Sequence, residues 1–311
     1  MNYPALLAAC IGFVGLSLAW PQPSAAAADL ALPWVTSEAK APRVAFRAFK
    51  SETVGSNVSY HVYLPPAYDE PGVRLPVLYW LHGTGGGIGG IGPTARLFGE
   101  AMTSGRIPSM IVVFVNGLPR SLWADSKDGR APVETVFVSD VIPDVDRNFR
   151  TIARREGRIL EGFSMGGYGA ARIGLKHPHL FTGISILAGG PLDIELSGPR
   201  ALRNPRLREA ILRDVCENDL AYFRAISPWM IAQGAAARLQ DNNTVIRHVI
   251  GDRDDTATLN RQFHARMSSL DIVHEYVEVP GVGHDARALL NALGEDNGRF
   301  YRRALGQSPP R

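Results

Sequence analysis

The segment Gly162-Phe163-Ser164-Met165-Gly166 has the spacing G-x-S-x-G. Glycines placed two before and two after a serine suit a tight turn from a strand into a helix, where neighbouring elements pack too close for side chains. Such a turn raises the hydroxyl above the strand ends. It also aims the amide of the following residue, Met165, at the same reacting centre. The chemistry that follows is nucleophilic attack by Ser164 on a carbonyl, with Met165 N–H receiving the negative charge that develops on oxygen. The flanking pattern agrees: Arg158 to Phe163 reads as a strand and Gly166 to His177 as a helix.

A serine hydroxyl is a weak nucleophile near neutral pH and needs a base. In this arrangement the chain order is serine, then a carboxylate, then histidine. Six histidines follow Ser164. His177 and His179 close the helix that starts at the serine and point away from it. His248 and His274 fall within strand patterns, and His264 within a helical one. His284 follows a strand in Val279-Pro280-Gly281-Val282-Gly283-His284-Asp285, a glycine-rich loop of the kind that carries such a base. Asp285 is adjacent to that ring and suits a helix cap better than an orienting acid. The acid that orients the imidazole belongs after the preceding strand, where Gly251-Asp252-Arg253-Asp254-Asp255 offers three carboxylates. Spacing alone does not choose among them.

A second oxyanion donor is expected from the loop after the strand Val77 to Leu81. That loop reads His82-Gly83-Thr84-Gly85-Gly86-Gly87, and the amide of Thr84 or Gly85 fits the role, Thr84 first. Gly85, Gly87 and Gly90 also match the dinucleotide pattern G-x-G-x-x-G. Two features oppose that reading. Ile91-Gly92-Pro93 does not look like the start of a helix, and the next strand ends in Asn116-Gly117 rather than in an acid. No cofactor is expected. No cysteine–histidine cluster has zinc spacing, so no metal is expected either.

The elements that must position these residues follow from hydrophobic pattern. Val58 to Leu64 alternates, as an exposed antiparallel strand does. Val77 to Leu81, Met110 to Val115, Arg158 to Phe163, Gly183 to Leu187, Val245 to Ile250 and His274 to Val279 are apolar runs suited to a parallel sheet covered on both faces. Helical patterns fall between them at 94–104, 134–148 (broken by Pro143), 166–177, 206–214, 256–269 and 285–304. Strand and helix therefore alternate, which defines an α/β fold. Residues 191–240 interrupt the alternation and read as an insertion near the site. Together with the loop Gly117 to Asp128, which carries Trp123, that insertion is expected to shape an acyl pocket.

The 311 residues suit a single domain over 29–311. Ala5 to Trp20 is almost wholly apolar and is followed by Pro21, Pro23 and the small residues Ser24 to Ala28. This reads as a secretory signal peptide over 1–28, cleaved after Ala28, although no Lys or Arg precedes the apolar run. The expected location is secreted or periplasmic, with no stable membrane association after cleavage. Leu7-Ala8-Ala9-Cys10 resembles a lipoprotein box but lies very near the start. Cys216 would then remain as a lone buried thiol with no disulfide partner. The formal charge of +3 is small and dispersed, which argues against nucleic acid. Five arginines between Arg200 and Arg213 read as a solvated helix face.

Taken together these residues resemble the esterase family of α/β-hydrolases. That group includes esterase D (S-formylglutathione hydrolase), feruloyl and acetyl-xylan esterases, enterochelin esterase-like proteins and the antigen 85 mycolyltransferases. The resemblance covers roughly residues 45–305. It is carried by Tyr79-Trp80-Leu81-His82-Gly83, the Trp123 loop, Asp140-Val141-Ile142-Pro143, Gly162 to Ala170 and the two C-terminal loops. It implies Asp254 as the acid, because Gly251, Asp254, Asn260 and Phe263 match the family pattern there. The chain departs from feruloyl-type members by lacking a tryptophan after His284. The resemblance implies a serine carboxylic-ester hydrolase acting through an acyl-enzyme, on a small or polymer-linked ester. An acyltransferase that delivers the acyl group to an alcohol is the alternative within the fold. A binding module on an inactive scaffold is the alternative outside enzymes.

Overall fold

The computed structural model describes residues 32–190, 196 and 204–307. The proposed signal segment and most of 191–203 lie outside the described residues. Eight strands form one sheet: β1 (Val44–Lys50), β2 (Asn57–Tyr63), β3 (Val77–Leu81), β4 (Ile111–Val115), β5 (Arg158–Phe163), β6 (Gly183–Leu187), β7 (Val245–Gly251) and β8 (Glu275–Val279). Their order is β1-β2-β4-β3-β5-β6-β7-β8. β1 and β2 pair antiparallel, β2 joins β4 antiparallel, and every later pairing is parallel.

The apolar runs are explained by two-sided burial. In β3, Val77, Tyr79 and Leu81 enter one core with Trp123, Phe137, Tyr168 and Phe181. Leu78 and Trp80 enter the other with Phe98, Phe300 and Tyr301. The helix Met165–Lys176 covers the first face, and the helices Ile88–Thr103 and Ala286–Ala304 cover the second. Two charges interrupt the apolar rule. Glu161, Ser185 and Arg247 lie side by side across β5, β6 and β7. Arg247 donates from Nη2 to Glu161 at 2.7 Å and from Nε to Ser185 Oγ at 2.8 Å, while Tyr301 OH donates to Glu161 at 2.9 Å. All are buried, and removing one partner of such a pair typically costs about 3–5 kcal/mol.

Five expectations need correction. β2, expected to be exposed, is buried from Val58 to Tyr63, because β1 and β4 flank it. β8, expected to be covered on both faces, is an edge strand of mostly half-buried residues. The alternating segment Val44–Lys50 is a strand that the pattern reading passed over; it is an edge strand, only half buried. The helix expected from residue 94 begins at Ile88, so Gly89, Gly90, Gly92 and Pro93 are helical. Gly85, Gly86 and Gly87 all have positive φ, and this reversal delivers the chain into the helix earlier than its composition implies. One of the two objections to a dinucleotide site therefore falls. The other stands, since Asn116 occupies the end of β4 and donates to the carbonyls of Pro33 and Trp34. Finally, Pro143 does not break its helix. A π-helical stretch, Val136–Val141, leads into Ile142–Asn148, where Pro143 falls in the first turn, a position that needs no N–H donor.

Candidate active site

Ser164 stands between β5 and the helix Met165–Lys176 with φ 60° and ψ −121°. This is sparsely populated backbone for a non-glycine residue, costing on the order of 1–3 kcal/mol. Its surroundings hold it there. Ser164 N donates to Leu187 O at 3.0 Å, and Ser164 O accepts from Tyr168 N at 3.0 Å. A Cβ on Gly162 would collide with Gly166 O, and one on Gly166 with the carbonyls of Leu81 and His82. The turn thus lies directly on the end of β3. Gly83, just beyond β3, faces the nucleophile: a Cβ there would lie 3.3 Å from Ser164 Cβ and 3.8 Å from Oγ.

The loop after β3 is fastened to the loop after β4. Gly117 N donates to His82 Nε2 at 3.0 Å, and Trp123 Nε1 donates to His82 O at 3.2 Å. His82 Nδ1 lies 2.7 Å from Gly83 O. Gly85 N donates to Pro119 O at 2.9 Å, which takes it out of contention as an oxyanion donor. The N–H groups of Thr84 and Met165 meet no acceptor among the described residues. Trp123 is fully buried against Gly117 and Gly169. It braces this assembly from inside, so within the loop Gly117 to Asp128 the Trp123 side chain itself lines no open pocket. Beneath it, Arg172 donates to the carbonyls of Trp123 and Ile226 and pairs with buried Glu134. Burial alone would raise the Glu134 carboxyl, but His177, Arg172 and Lys176 hold it well below the usual range.

On the other side of Ser164, the loops after β7 and β8 interlock. Arg253 N donates to Val282 O at 3.1 Å, and Asp252 N to Val279 O at 3.0 Å. Of the three carboxylates, Asp254 meets the histidine: His284 Nδ1 lies 2.5 Å from Asp254 Oδ2. Asp252 instead accepts Gly281 N–H at 2.7 Å. Asp285 caps the C-terminal helix through Arg287 N and Ala288 N. The other oxygen of Asp254 accepts from both the amide and the hydroxyl of Thr256 at 2.8 Å. Asn260 holds Thr256 through Oγ1 and the carbonyl, and its own oxygen receives Gly189 N–H and contacts His248 Nε2 at 2.8 Å. Burial pushes the Asp254 carboxyl up, but the His284 and Thr256 hydrogen bonds outweigh it and bring it down to about 2. The same burial lowers His248 to about 4. Nothing in the residue spacing singles out Thr256 or His82. The signals, read afterwards, are a hydroxyl two residues after the acid and a histidine opening the glycine run.

The His284 ring packs on Phe163, the residue before the serine, with centroids 4.5 Å apart. Its Nε2 is buried and has no partner among the described residues. Asp254, Asp255 and His284 also bring donor atoms within 4.8 Å of one another. The 2.5 Å contact inside that group is a hydrogen bond, with a proton where a metal would have to sit. The arrangement therefore fits an oriented imidazole rather than a coordination sphere. A pocket of about 170 Å³ lies behind the glycine loop, among Gly83, Ile88, Ile91, Phe114 and Phe163, with Thr36 of the N-terminal arm at its edge.

An eight-stranded, mostly parallel sheet with a serine on the turn after β5, an acid after β7 and a histidine after β8 is an α/β-hydrolase. The chain belongs to the esterase family, whose model, described as "Putative esterase", matches residues 51–295. An esterase of Mycobacterium tuberculosis, Esterase Rv1288, is 29% identical over 272 residues, which is 78% of this chain and 56% of the relative. This chain thus spans little more than half the length of that relative. An endo-1,4-beta-xylanase/feruloyl esterase of Xylanibacter ruminicola is 32% identical over 165 residues, covering 50% of this chain and 23% of the relative. Among solved structures, a ferulic acid esterase matches with TM-score 0.66 at 22% identity, covering 83% of this chain and 98% of the other. An S-formylglutathione hydrolase from Agrobacterium tumefaciens matches with TM-score 0.65 at 19% identity, covering 85% and 95%. At these identities the structures speak for the fold.

Proposed function

We propose that the protein is a serine carboxylic-ester hydrolase in which Ser164, His284 and Asp254 act as a triad. The observation that carries this is the His284 ring: Nδ1 is fixed on Asp254, and Nε2 is buried, with no partner among the described residues, in a ring packed on Phe163 beside the serine. Because the Asp254 carboxylate only accepts, Nδ1 carries the proton and Nε2 is the basic atom. His284 Nε2 takes the Ser164 proton as Oγ attacks the ester carbonyl. Thr84 and Met165 amides receive the oxyanion, aided by the N-terminus of the helix Met165–Lys176. The protonated imidazole returns its proton to the leaving alkoxide, and an acyl-enzyme remains. Water, deprotonated by the same nitrogen, then releases the acid.

The pocket behind the glycine loop borders the serine turn through Gly83 and Phe163, which makes it the place proposed for one substituent of the ester. Export of the mature chain rests on the sequence of residues 1–28. Among the described residues, no helix is long and apolar enough to cross a membrane.

A fluorophosphonate probe tests the assignment. It should label the wild-type protein and not Ser164→Ala, and hydrolysis of p-nitrophenyl acetate should fall by about 10⁴-fold or more in that variant. Labelling that survives the substitution, or a wild-type protein that never labels, would overturn it.

A further inference from the structure

We infer that His82 is a positioning residue for the oxyanion hole, acting by clamping the Gly83–Thr84 peptide. The inference rests on the serine-hydrolase reading above and concerns how its oxyanion donor is held.

The hydrogen-bond chemistry leaves His82 one state. Gly117 N can only donate, so Nε2 is an acceptor, at 3.0 Å. Gly83 O can only accept, so Nδ1 carries the proton, at 2.7 Å. The ring is therefore neutral with both nitrogens committed, and burial lowers its pKa to about 4. Gly83 O and Thr84 N belong to the same peptide unit. In a planar trans peptide the C=O and N–H point in opposite directions. Holding Gly83 O on the imidazole thus turns Thr84 N–H away from His82. Gly83 itself lies against Ser164, with Oγ 3.8 Å from where a Cβ would project.

The histidine is itself held. Trp123 Nε1 bonds its carbonyl at 3.2 Å, and the two rings pack with centroids 5.0 Å apart. Gly87, with φ 71°, lies so close that a Cβ would strike the imidazole. Glycine at 83 needs this help most, because it has the least intrinsic preference for any one peptide orientation. A free peptide would flip between orientations, and only one presents the donor.

Two amide variants separate the clamp from simple packing. In His82→Asn the side-chain amide takes the place of Nδ1 and can donate to Gly83 O. In His82→Gln it reaches the place of Nε2 and can satisfy only Gly117. The clamp predicts that H82Q loses roughly 10- to 100-fold in kcat with KM within about twofold, and that H82N recovers most of the loss. Unfolding midpoints should not follow that order. Equal kcat losses in the two variants, or losses that track their unfolding midpoints, would overturn the proposal. Should either variant fail to fold, the wild-type protein supplies the test. Long-range ¹H–¹⁵N spectra should show His82 as the Nδ1–H tautomer between pH 5.5 and 8, and an Nε2–H tautomer would refute it. Fluorophosphonate labelling of the wild type keeps the questions apart. A protein that labels while the variants behave alike loses the clamp and keeps the nucleophile, whereas a protein that does not label loses both.

Discussion

The two halves of the site are made of different material. On the Ser164 side, the groups proposed to act are main-chain amides on a strained turn, and the supports are glycines that let backbones touch: Gly162, Gly166 and Gly83. On the His284 side, the parts are side chains bonded in series, from His248 through Asn260 and Thr256 to Asp254. A main-chain half tolerates almost no added atom, because a carbonyl in a packed sheet cannot rotate aside. A side-chain half loses its function by degrees as hydrogen bonds are removed. The difference predicts where damage is structural and where it is chemical.

The largest effect should come from Gly166→Ala. Its Cβ would meet the carbonyls of Leu81 and His82, which belong to the central sheet and the oxyanion loop. A loss of about 3 kcal/mol or more is expected, read as a lower urea midpoint or as failure to accumulate folded protein. A stability within 1 kcal/mol of wild type would break the comparison. Asp254→Asn should act chiefly on the chemistry. It should lower kcat by about 10⁴-fold, because the amide can present N–H to Nδ1 and favour the wrong tautomer. The urea midpoint should fall less than in Gly166→Ala, by the stability the depressed carboxylate supplies above the ordinary carboxylate range.

The smallest effect is expected from Thr256→Val, which removes one hydroxyl bond to Asp254 and should lower kcat about tenfold. It also has a pH signature. The Asp254 carboxyl is depressed in the folded protein to about 2, so its stabilising contribution is complete above the ordinary carboxylate range. It is lost as pH falls toward 2. Removing a donor raises the folded pKa, so in Thr256→Val the contribution is smaller above the ordinary carboxylate range, and its loss, which starts in that same range, is complete at a higher pH. Urea midpoints between pH 2 and 5 measure it, and an unmoved acid edge would show that the hydroxyl does not hold the carboxylate.

The division also explains what was legible in the sequence. Ser164, His284 and the cluster around Asp254 stand out in the sequence because each sits in a short loop directly after a strand, where local composition marks the place. The choice of Asp254 over Asp252 came from family pattern, and the structure accounts for it by the direction each carboxylate faces. The place of Trp123 inside its loop is not legible in the sequence. Its burial depends on Gly169, 46 positions later in the chain, and no local pattern reports that. The same holds for His82, whose partner Gly117 is 35 residues away and contributes only a backbone N–H. β1 was passed over because an edge strand lacks the continuous apolar run that marked its neighbours. The early helix start at Ile88 was hidden by glycines that ordinarily signal a loop.

The buried row of Glu161, Ser185 and Arg247 bears on how the sheet assembles. Apart from their few polar residues, strands as fully buried as β5, β6 and β7 could pair in several alignments with similar burial of apolar surface. A slip by one residue would turn each charged side chain to the opposite face from its counterpart. Two ions would then be stranded in separate cores, with nothing to neutralise either. The row thus works as a key cut across three strands: among the many ways to stack them, it admits one.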